Sequence, residues 1–333
     1  MSVKIQDVAK LAEVSVATVS RVISNGSVSL ELKKRVENAV ATLGYRPNLS
    51  ARRLRSQHSQ TVGLIVSDVR NPFFTAVSRA VEDAAYQAGM RIILCNADED
   101  PQKEAMYLRL MQDERVCGVI FSPTAVSAQE FRPESVDFPV VMIDREGSLG
   151  LTDAVVLDNR QAGRLLVEHL IARGYQHIGG LFGNSSSTGA ERHEGYEEAL
   201  RQHGLQPDVR FVAPSCEAAT AAVRAWLATP DFPEALVVSN GLLLLGAVYA
   251  VGEAGLSIPA DVALAGFDNE IWTGLVGGGL TVIEQPVYDI GLVAMGMLLS
   301  RLANPALVGR KMVLNGILHA RASTVREPQE RAV

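Results

Sequence analysis

The chain has 333 residues, 47% of them hydrophobic, which is material for two or three domains with substantial cores. Its formal charge of −6 argues against nucleic acid for the whole chain, yet residues 1–60 carry ten Lys or Arg against four Asp or Glu and the remainder 21 against 33, so a head of +6 precedes a body of −12. There is no N-terminal apolar signal stretch, no apolar run long enough to span a membrane and no Cys-x-x-Cys pair among Cys95, Cys117 and Cys216, so the expectation is a soluble cytoplasmic protein with reduced thiols.

Two short helical patterns open the chain. The first runs from Lys4 to Ala12 with apolar Ile5, Val8, Ala9, Leu11 and Ala12, and Asp7 sits near its positive end. The second begins at Ser15, an N-cap residue type, and keeps Val19 and Val22 for its buried side. Helices this short need a third for a core, and one follows Ser29 with Leu32, Val36, Val40 and Leu43 at helical spacing and Gly44 as its C-terminal cap. In a helix-turn-helix the second helix presents its N-terminal residues to base edges in the major groove. Here Val16 and Ala17 suit thymine methyls, Thr18 and Ser20 are short hydroxyl donors, and Arg21 reaches phosphate or guanine. An ordinary helical hairpin with a solvated polar face is the competing reading of the first two helices alone. After Tyr45-Arg46-Pro47-Asn48 breaks the chain, a segment to about Ser56 sets Arg52, Arg53 and Arg55 around Ala51 and Leu54. It is too short and too basic to be helical in water, which predicts ordering only against phosphates, with Leu54 as a wedge between base steps.

Asp7-Val8-Ala9, the run Val14 to Val22, Gly44-Tyr45-Arg46-Pro47-Asn48 and Ala51-Arg52-Arg53-Leu54 together resemble the head and hinge of the lactose/galactose repressor family. The resemblance implies a homodimer whose two recognition helices read a palindromic operator, while paired hinge helices meet at Ala51 and Leu54 and kink its centre. The DNA-facing set is then Ser15, Val16, Ala17, Thr18, Ser20, Arg21 and Asn25, with Ala51 and Leu54 in the hinge. Glu13 departs from the pattern, because its turn position usually takes Gly or Asn. A left-handed conformation there costs roughly 1 kcal/mol, so the turn is expected to survive in a slightly less stable head.

After the linker Gln57 to Gln60 the pattern changes to short apolar runs alternating with amphipathic helices. Val62–Val66, Ile92–Cys95, Val119–Phe121, Val140–Ile143 and Val155–Leu157 read as buried parallel strands, with helices after Pro72 (stopping at Gly89) and Pro101. The rhythm restarts after Asn159, with strands at Ile178–Phe182, near Phe211, at Leu236–Val238 and at Val262–Phe267, and helices ending at Gly174, Gly204 and Gly255. The run Leu280 to Gln285 returns the helix Val287–Leu302 to the first half. The predicted fold is α/β: a helix-turn-helix head and hinge helix, then two doubly wound parallel α/β subdomains around a ligand cleft. The expected boundaries are 1–47 for the head, 48–60 for hinge and linker, 61–158 plus 286–316 and 159–285 plus 317–326 for the two halves, and 327–333 for a disordered tail.

Polar residues at strand ends mark the cleft. They are Asp68, Asn71 with Phe73 and Phe74, Asp144 and Arg145, Arg192, Asn240, Asp268 and Gln285. Carboxylates, amides and guanidinia with an aromatic face are what a polyol needs, since hydroxyls both donate and accept and the sugar's CH face lies against a ring. Any one of them alone reads as a helix cap or loop residue. The set also resembles the sugar site of ribose-binding-type periplasmic proteins and the related repressor bodies, through Asn71-Pro72-Phe73-Phe74, Asp144-Arg145, Arg192, Asn240, Gly266-Phe267-Asp268 and Gln285-Pro286. Gly241 stands where that family commonly carries an acidic residue. Arg145 and Arg192 keep an acidic sugar open, a gluconate or ketogluconate. Arg70 either assists or faces solvent, and the loop Asn184 to Gly189 either cradles a phosphate or is a hydroxyl-rich rim.

The six histidines, at 58, 169, 177, 193, 203 and 319, form no metal-type pair, and no dinucleotide fingerprint, nucleophile elbow or Walker lysine occurs. The expectation is a transcriptional regulator, a repressor, without enzymatic activity, metal or cofactor, controlled by a sugar or sugar acid in the cleft. Control by a sugar phosphate or a phosphoprotein partner, and a non-regulatory sugar-binding module, are the alternatives.

Overall fold

The computed structural model describes residues 3–23, 26–45, 60–147 and 150–326. Asn25, the hinge residues Ala51 and Leu54, and the tail expected over 327–333 lie outside the described residues. The chain divides into two units, 1–59 and 60–333, taken separately below.

In the first unit α1 (Ile5–Leu11), α2 (Val16–Ile23) and α3 (Leu30–Leu43) enclose a small core of Val8, Ala9, Ala12, Val19, Val22, Val36 and Ala39. Asp7 accepts from the Lys4 backbone N–H at 2.8 Å, which stabilises the start of α1. The Ser15 hydroxyl accepts from Thr18 N at 3.1 Å to cap α2, and Ser29 accepts from Leu32 N to cap α3. Gly44 ends α3 at φ 60°. Glu13 does take the left-handed turn, at φ 48°, and its carbonyl and carboxylate both accept from Arg35 Nη2 at 3.2 Å.

The second unit contains two six-stranded sheets. The first has the order β11-β5-β4-β3-β1-β2, from β1 (Thr61–Val66), β2 (Arg91–Asn96), β3 (Gly118–Phe121), β4 (Val140–Ile143), β5 (Asp153–Leu157) and β11 (Lys311–Leu314). The second has the order β12-β10-β9-β8-β6-β7, from β6 (Ile178–Gly183), β7 (Asp208–Val212), β8 (Ala235–Val238), β9 (Ala263–Phe267), β10 (Thr281–Glu284) and β12 (Ile317–His319). All neighbours are parallel except β10 and β12. The two orders are the same, so the second half repeats the strand order of the first with its last strand reversed.

Helices cover both faces of the central strands, as burial on both sides requires, while the edge strands β2, β7 and β11 stay partly exposed. Of Ile92–Cys95, expected as a buried strand, only Cys95 is buried, because β2 lies at the sheet's edge. The first half carries α4 (Pro72–Gln87), α5 (Pro101–Asp113) and α6 (Ala125–Glu130), and the second carries α7 (Asn159–Ala172), α8 (Ser187–Gln202), α9 (Cys216–Leu227) and α10 (Gly241–Glu253). A last helix, α11 (Val287–Ala303), packs into the first half's core through Ile290, Ala294, Met295 and Leu298. It lies so close to α4 that a Cβ on Gly291 would stand 2.6 Å from that of Ala80. Asp153, wholly buried, fastens this arrangement: it accepts from Arg301 of α11 at 2.9 and 3.0 Å and from Arg310, just before β11, at 2.9 and 3.1 Å. The chain passes between the halves at three places, from β5 to α7, from β10 to α11 and from β11 to β12. No helix among the described residues is long and apolar enough to cross a membrane. Cys95 and Cys117 are buried free thiols, and Cys216 is a half-buried one at the start of α9.

Candidate functional site

The carboxyl ends of both sheets meet at one cavity of about 50 Å³. The two halves contribute to it in the same way. Asp144 follows β4 and Asp268 follows β9, the corresponding strand of the other sheet. Each takes the left-handed conformation, at φ 66° and 74°, and each donates its backbone N–H to the neighbouring strand, Asp144 to Val155 O at 3.1 Å and Asp268 to Ile283 O at 2.9 Å. Aspartate tolerates this conformation better than most residues, so a strand can end there and turn its carboxylate towards the cleft.

All ten side chains predicted for the effector line this cavity: Asp68, Asn71, Phe73, Phe74, Asp144, Arg145, Arg192, Asn240, Asp268 and Gln285. Two of them are also caps, because Asn71 Oδ1 accepts from Phe73 N at 3.1 Å and Asn240 Oδ1 from Leu243 N at 2.8 Å. Capping and lining the cavity are therefore not exclusive. Phe73 and Phe74 pack edge to face, 5.0 Å apart.

The two arginines differ. Arg145 is held by Glu99 in a fork of 2.9 and 2.5 Å and donates to Pro123 O at 2.8 Å. Its Nε is buried without a hydrogen-bond acceptor, 3.3 Å from Asp144. Burial works against its charge, but Glu99 and Asp144 outweigh burial and hold the guanidinium above its ordinary pKa. Arg192 has only neutral acceptors: Asn159 Oδ1 at 2.8 Å, Ser239 O at 2.6 Å and Gln285 Oε1 at 3.3 Å. Its guanidinium lies 4.0 Å over the Phe267 ring, and burial lowers its pKa. Close packing sets its position, since a Cβ on Gly163 of α7 would stand 2.3 Å from Arg192 O and one on Gly195 of α8 2.0 Å from Arg160 O. Only glycines let α7 and α8 approach so far that Arg192 reaches Asn159.

Asp268 accepts from Gln285 Nε2 at 2.6 Å and from Gly241 N at 2.8 Å. An added Cβ at Gly241 would stand 3.2 Å from Asp268, so the missing side chain there opens the backbone donor to it. Burial pushes the Asp144 carboxyl up to about 6, against the pull of Arg145 and Arg192. Asp68 is engaged by Arg70 at 2.9 Å through both of its oxygens, and the Arg70 side chain is 74% exposed. Arg70 thus faces solvent and neutralises Asp68 from the rim. With Asp68 and Glu99 held in forks, the cavity retains two carboxylates outside any fork, Asp268 and Asp144 (3.3 Å from Arg145 Nε), and one guanidinium bonded to no carboxylate, Arg192.

Sequence reading missed Glu99, Pro214, Ser239 and Leu242, which also line the cavity. Glu99 sits in the acidic run Asp98-Glu99-Asp100, which reads as a solvated loop, although it follows β2 and the strand-end rule applies to it. Of the stretch expected as a loop, Ser186, Thr188 and Gly189 line the cavity from the N-cap and first turn of α8. Ser186 caps α8 by accepting from Gly189 N at 3.1 Å and also accepts from Thr188 Oγ1 at 3.0 Å.

In the head, Ala17 and Arg21 are exposed, Thr18 and Ser20 half-buried, and Val16 packs partly against the core. Ser15 and Thr18 hydroxyls lie 2.9 Å apart and bond to each other.

Residues 4–48 match the family described as bacterial regulatory proteins, lacI family, and residues 59–312 match the periplasmic binding proteins and sugar binding domain of the LacI family. The chain is 35% identical over 300 residues to a ribose operon repressor of Halalkalibacterium halodurans, covering 90% of each. It is 33% identical over 305 residues to the transcriptional repressor PurR of Aliivibrio salmonicida, covering 90% of this chain and 92% of that one. A solved lac repressor dimer, bound to operator and the anti-inducer ONPF, superposes with a TM-score of 0.87 at 27% identity, covering 98% of this chain and 100% of that one.

Proposed function

The chain belongs to the lacI family of bacterial regulatory proteins and is a DNA-binding transcriptional repressor, and on that premise we propose that its effector is an uncharged monosaccharide held in the cleft between the two sheets. The observation that carries this reading is the charge left in the cavity: Asp144 and Asp268 lack a guanidinium fork of their own, and Arg192 is the one guanidinium bonded only to neutral acceptors. Two carboxylate acceptors and one cationic donor, with Phe73 and Phe74 beside them, serve a ring of hydroxyls. A carboxylate or phosphate brought into the same space meets more negative than positive charge, which disfavours a sugar acid or sugar phosphate. The similarity to a ribose operon repressor supports a pentose-sized ligand.

A cavity of about 50 Å³ is small against the roughly 300 Å³ lower end of formed ligand pockets, so the sugar enters with the halves further apart and closes them on itself. In this reading the body pairs as a C2 dimer, as the lac repressor does with its operator, and Ser15, Val16, Ala17, Thr18, Ser20, Arg21 and Asn25 face a palindrome with Ala51 and Leu54 at its centre. Coupling of about 1 to 3 kcal/mol between cleft and operator is enough for control. Calorimetric titration of the purified chain with pentoses, hexoses, sugar acids and sugar phosphates tests the reading. A neutral sugar is expected to bind, and tighter binding of an acid or phosphate than of any neutral sugar overturns it.

A further inference from the structure

Glu99 does not touch the cavity's free charges, yet it determines how many there are. It stands in a loop where two consecutive residues other than glycine adopt the left-handed conformation, Asp98 at φ 52° and Glu99 at φ 56°. Such strain persists only where surrounding contacts hold it, and it gathers at functional sites. The contacts are present: Glu99 N donates to Ser67 O at 3.0 Å, and Asp98 accepts from Asn96 Nδ2 at 2.7 Å and from Lys103. What the turn achieves is the placement of the Glu99 carboxylate, 20% exposed, in a two-point fork with Arg145, 4% exposed.

The fork and the bond to Pro123 O engage both terminal nitrogens of Arg145. Fork-to-fork pairing is the geometry by which arginine also captures carboxylate and phosphate ligands. The protein's own carboxylate therefore occupies the place such a ligand would take.

We infer that Glu99 is a specificity-determining residue, which excludes anionic sugars by occupying the terminal fork of Arg145 from within the protein. The inference rests on the reading of the cleft as a site for an uncharged sugar. With Glu99 present, its charge and that of Arg145 offset each other, and an entering anion meets Asp144 and Asp268 against Arg192. Without it, Arg145 and Arg192 form a pair of cations on opposite sides of the cavity, and a sugar acid becomes the better ligand.

Glu99→Gln keeps the shape of the side chain and removes its charge, and Glu99→Ser removes the carboxylate should glutamine fail to fold. The full chain and each variant are titrated with D-ribose, D-glucose, D-gluconate and ribose 5-phosphate, and melted in sulfate and in inorganic phosphate as bare anion probes. Glu99→Gln is expected to raise affinity for D-gluconate or ribose 5-phosphate relative to the neutral sugars at least tenfold. It is also expected to gain a melting shift in sulfate or phosphate that the parent chain and the double variant Glu99→Gln/Arg145→Gln lack. An unchanged ratio, no anion-dependent shift in the variant, or a shift that survives in the double variant overturns the inference, whichever sugar the parent binds. If the parent chain itself prefers D-gluconate or the phosphate, the neutral-sugar reading falls, and the anion shift still decides the role of Glu99.

Discussion

Arg192 and Asp268 are joined through a single amide: Gln285 accepts from Arg192 Nη2 at 3.3 Å and donates to Asp268 Oδ1 at 2.6 Å. The amide keeps a buried cation and a buried anion apart, so each retains hydrogen-bonding capacity for a ligand. Gln285→Ala removes the separator and lets the two collapse into an ion pair that a sugar must then break. The expected outcome is at least a tenfold loss of sugar affinity, about 1.4 kcal/mol, by calorimetry. Wild-type affinity in this variant would rule out the separator role.

Asp144 makes the protein less stable so that the site can exist. Its carboxyl is raised to about 6 by burial, so the folded state holds a proton that the unfolded chain has already released between about pH 4 and 6. The stability this group contributes is present below the unfolded pKa and is lost as pH rises through the folded one. Asp144→Asn is therefore expected to raise stability by about 3 kcal/mol at pH 8 and by little at pH 4, while weakening sugar binding. Urea unfolding of both proteins at the two pH values measures it, and an equal effect at both would show that the charge is not the cause.

Asp153 has the opposite sign. Burial alone would raise its carboxyl, but hydrogen bonds from Arg301 and Arg310 outweigh burial and hold it below the usual range. Its contribution is present above the unfolded pKa and is lost as pH falls through the lower, folded one. Asp153→Ala leaves two guanidinia without their partner and is expected to cost about 3 to 5 kcal/mol at pH 7, read from the denaturation midpoint.

In the head, Glu13→Gly exchanges a strained residue for one that tolerates φ 48° and gives up an exposed pair with Arg35. The strain is worth about 1 kcal/mol and such a surface pair less, so α1 and α2 should gain hydrogen-exchange protection by a few tenths to 1 kcal/mol. Faster exchange would mean that the Arg35 contacts matter more than the turn.

Arg21 is exposed at the end of α2. If it meets a phosphate, Arg21→Ala weakens binding evenly across sequences and lowers the salt slope by about one; if it meets guanine, discrimination at one base pair falls by about 1 to 3 kcal/mol. Anisotropy titrations on fragments selected from random DNA separate the two, and no change in either would take Arg21 out of the interface.

Much of the cleft was legible because a parallel strand buried on both faces reads as an apolar run, and the polar residue that ends the run must lie at the sheet's edge. Asp144, Asn240, Asp268 and Gln285 were found in that way. Pairings across long stretches of sequence were not legible. Arg145 was read as free for a ligand carboxylate, whereas Glu99, 46 residues earlier, already holds it. Likewise β11 escaped notice because an exposed edge strand lacks the apolar signature of a central one, whereas α9 was legible and unread, since Ala219, Val223 and Trp226 stand at helical spacing on its buried side.

The place of α11 in the first half's core bears on the order in which the protein is made. Ile290, Ala294, Met295 and Leu298 fill space between β1, β3, β4 and α4, and β11 closes the edge of that sheet beside β5. A ribosome that has emitted everything up to Glu284 has exposed the second half's parallel strands β6 to β10 in full, but has left the first half open along one helix and one edge. The half encoded first thus waits for α11 and β11 from the end of the chain, and the second half, its parallel strands already made, waits only for its edge strand β12. A chain cut short within α11 carries the head and most of the cleft residues on a core still facing water, and proteases and chaperones meet it in that state.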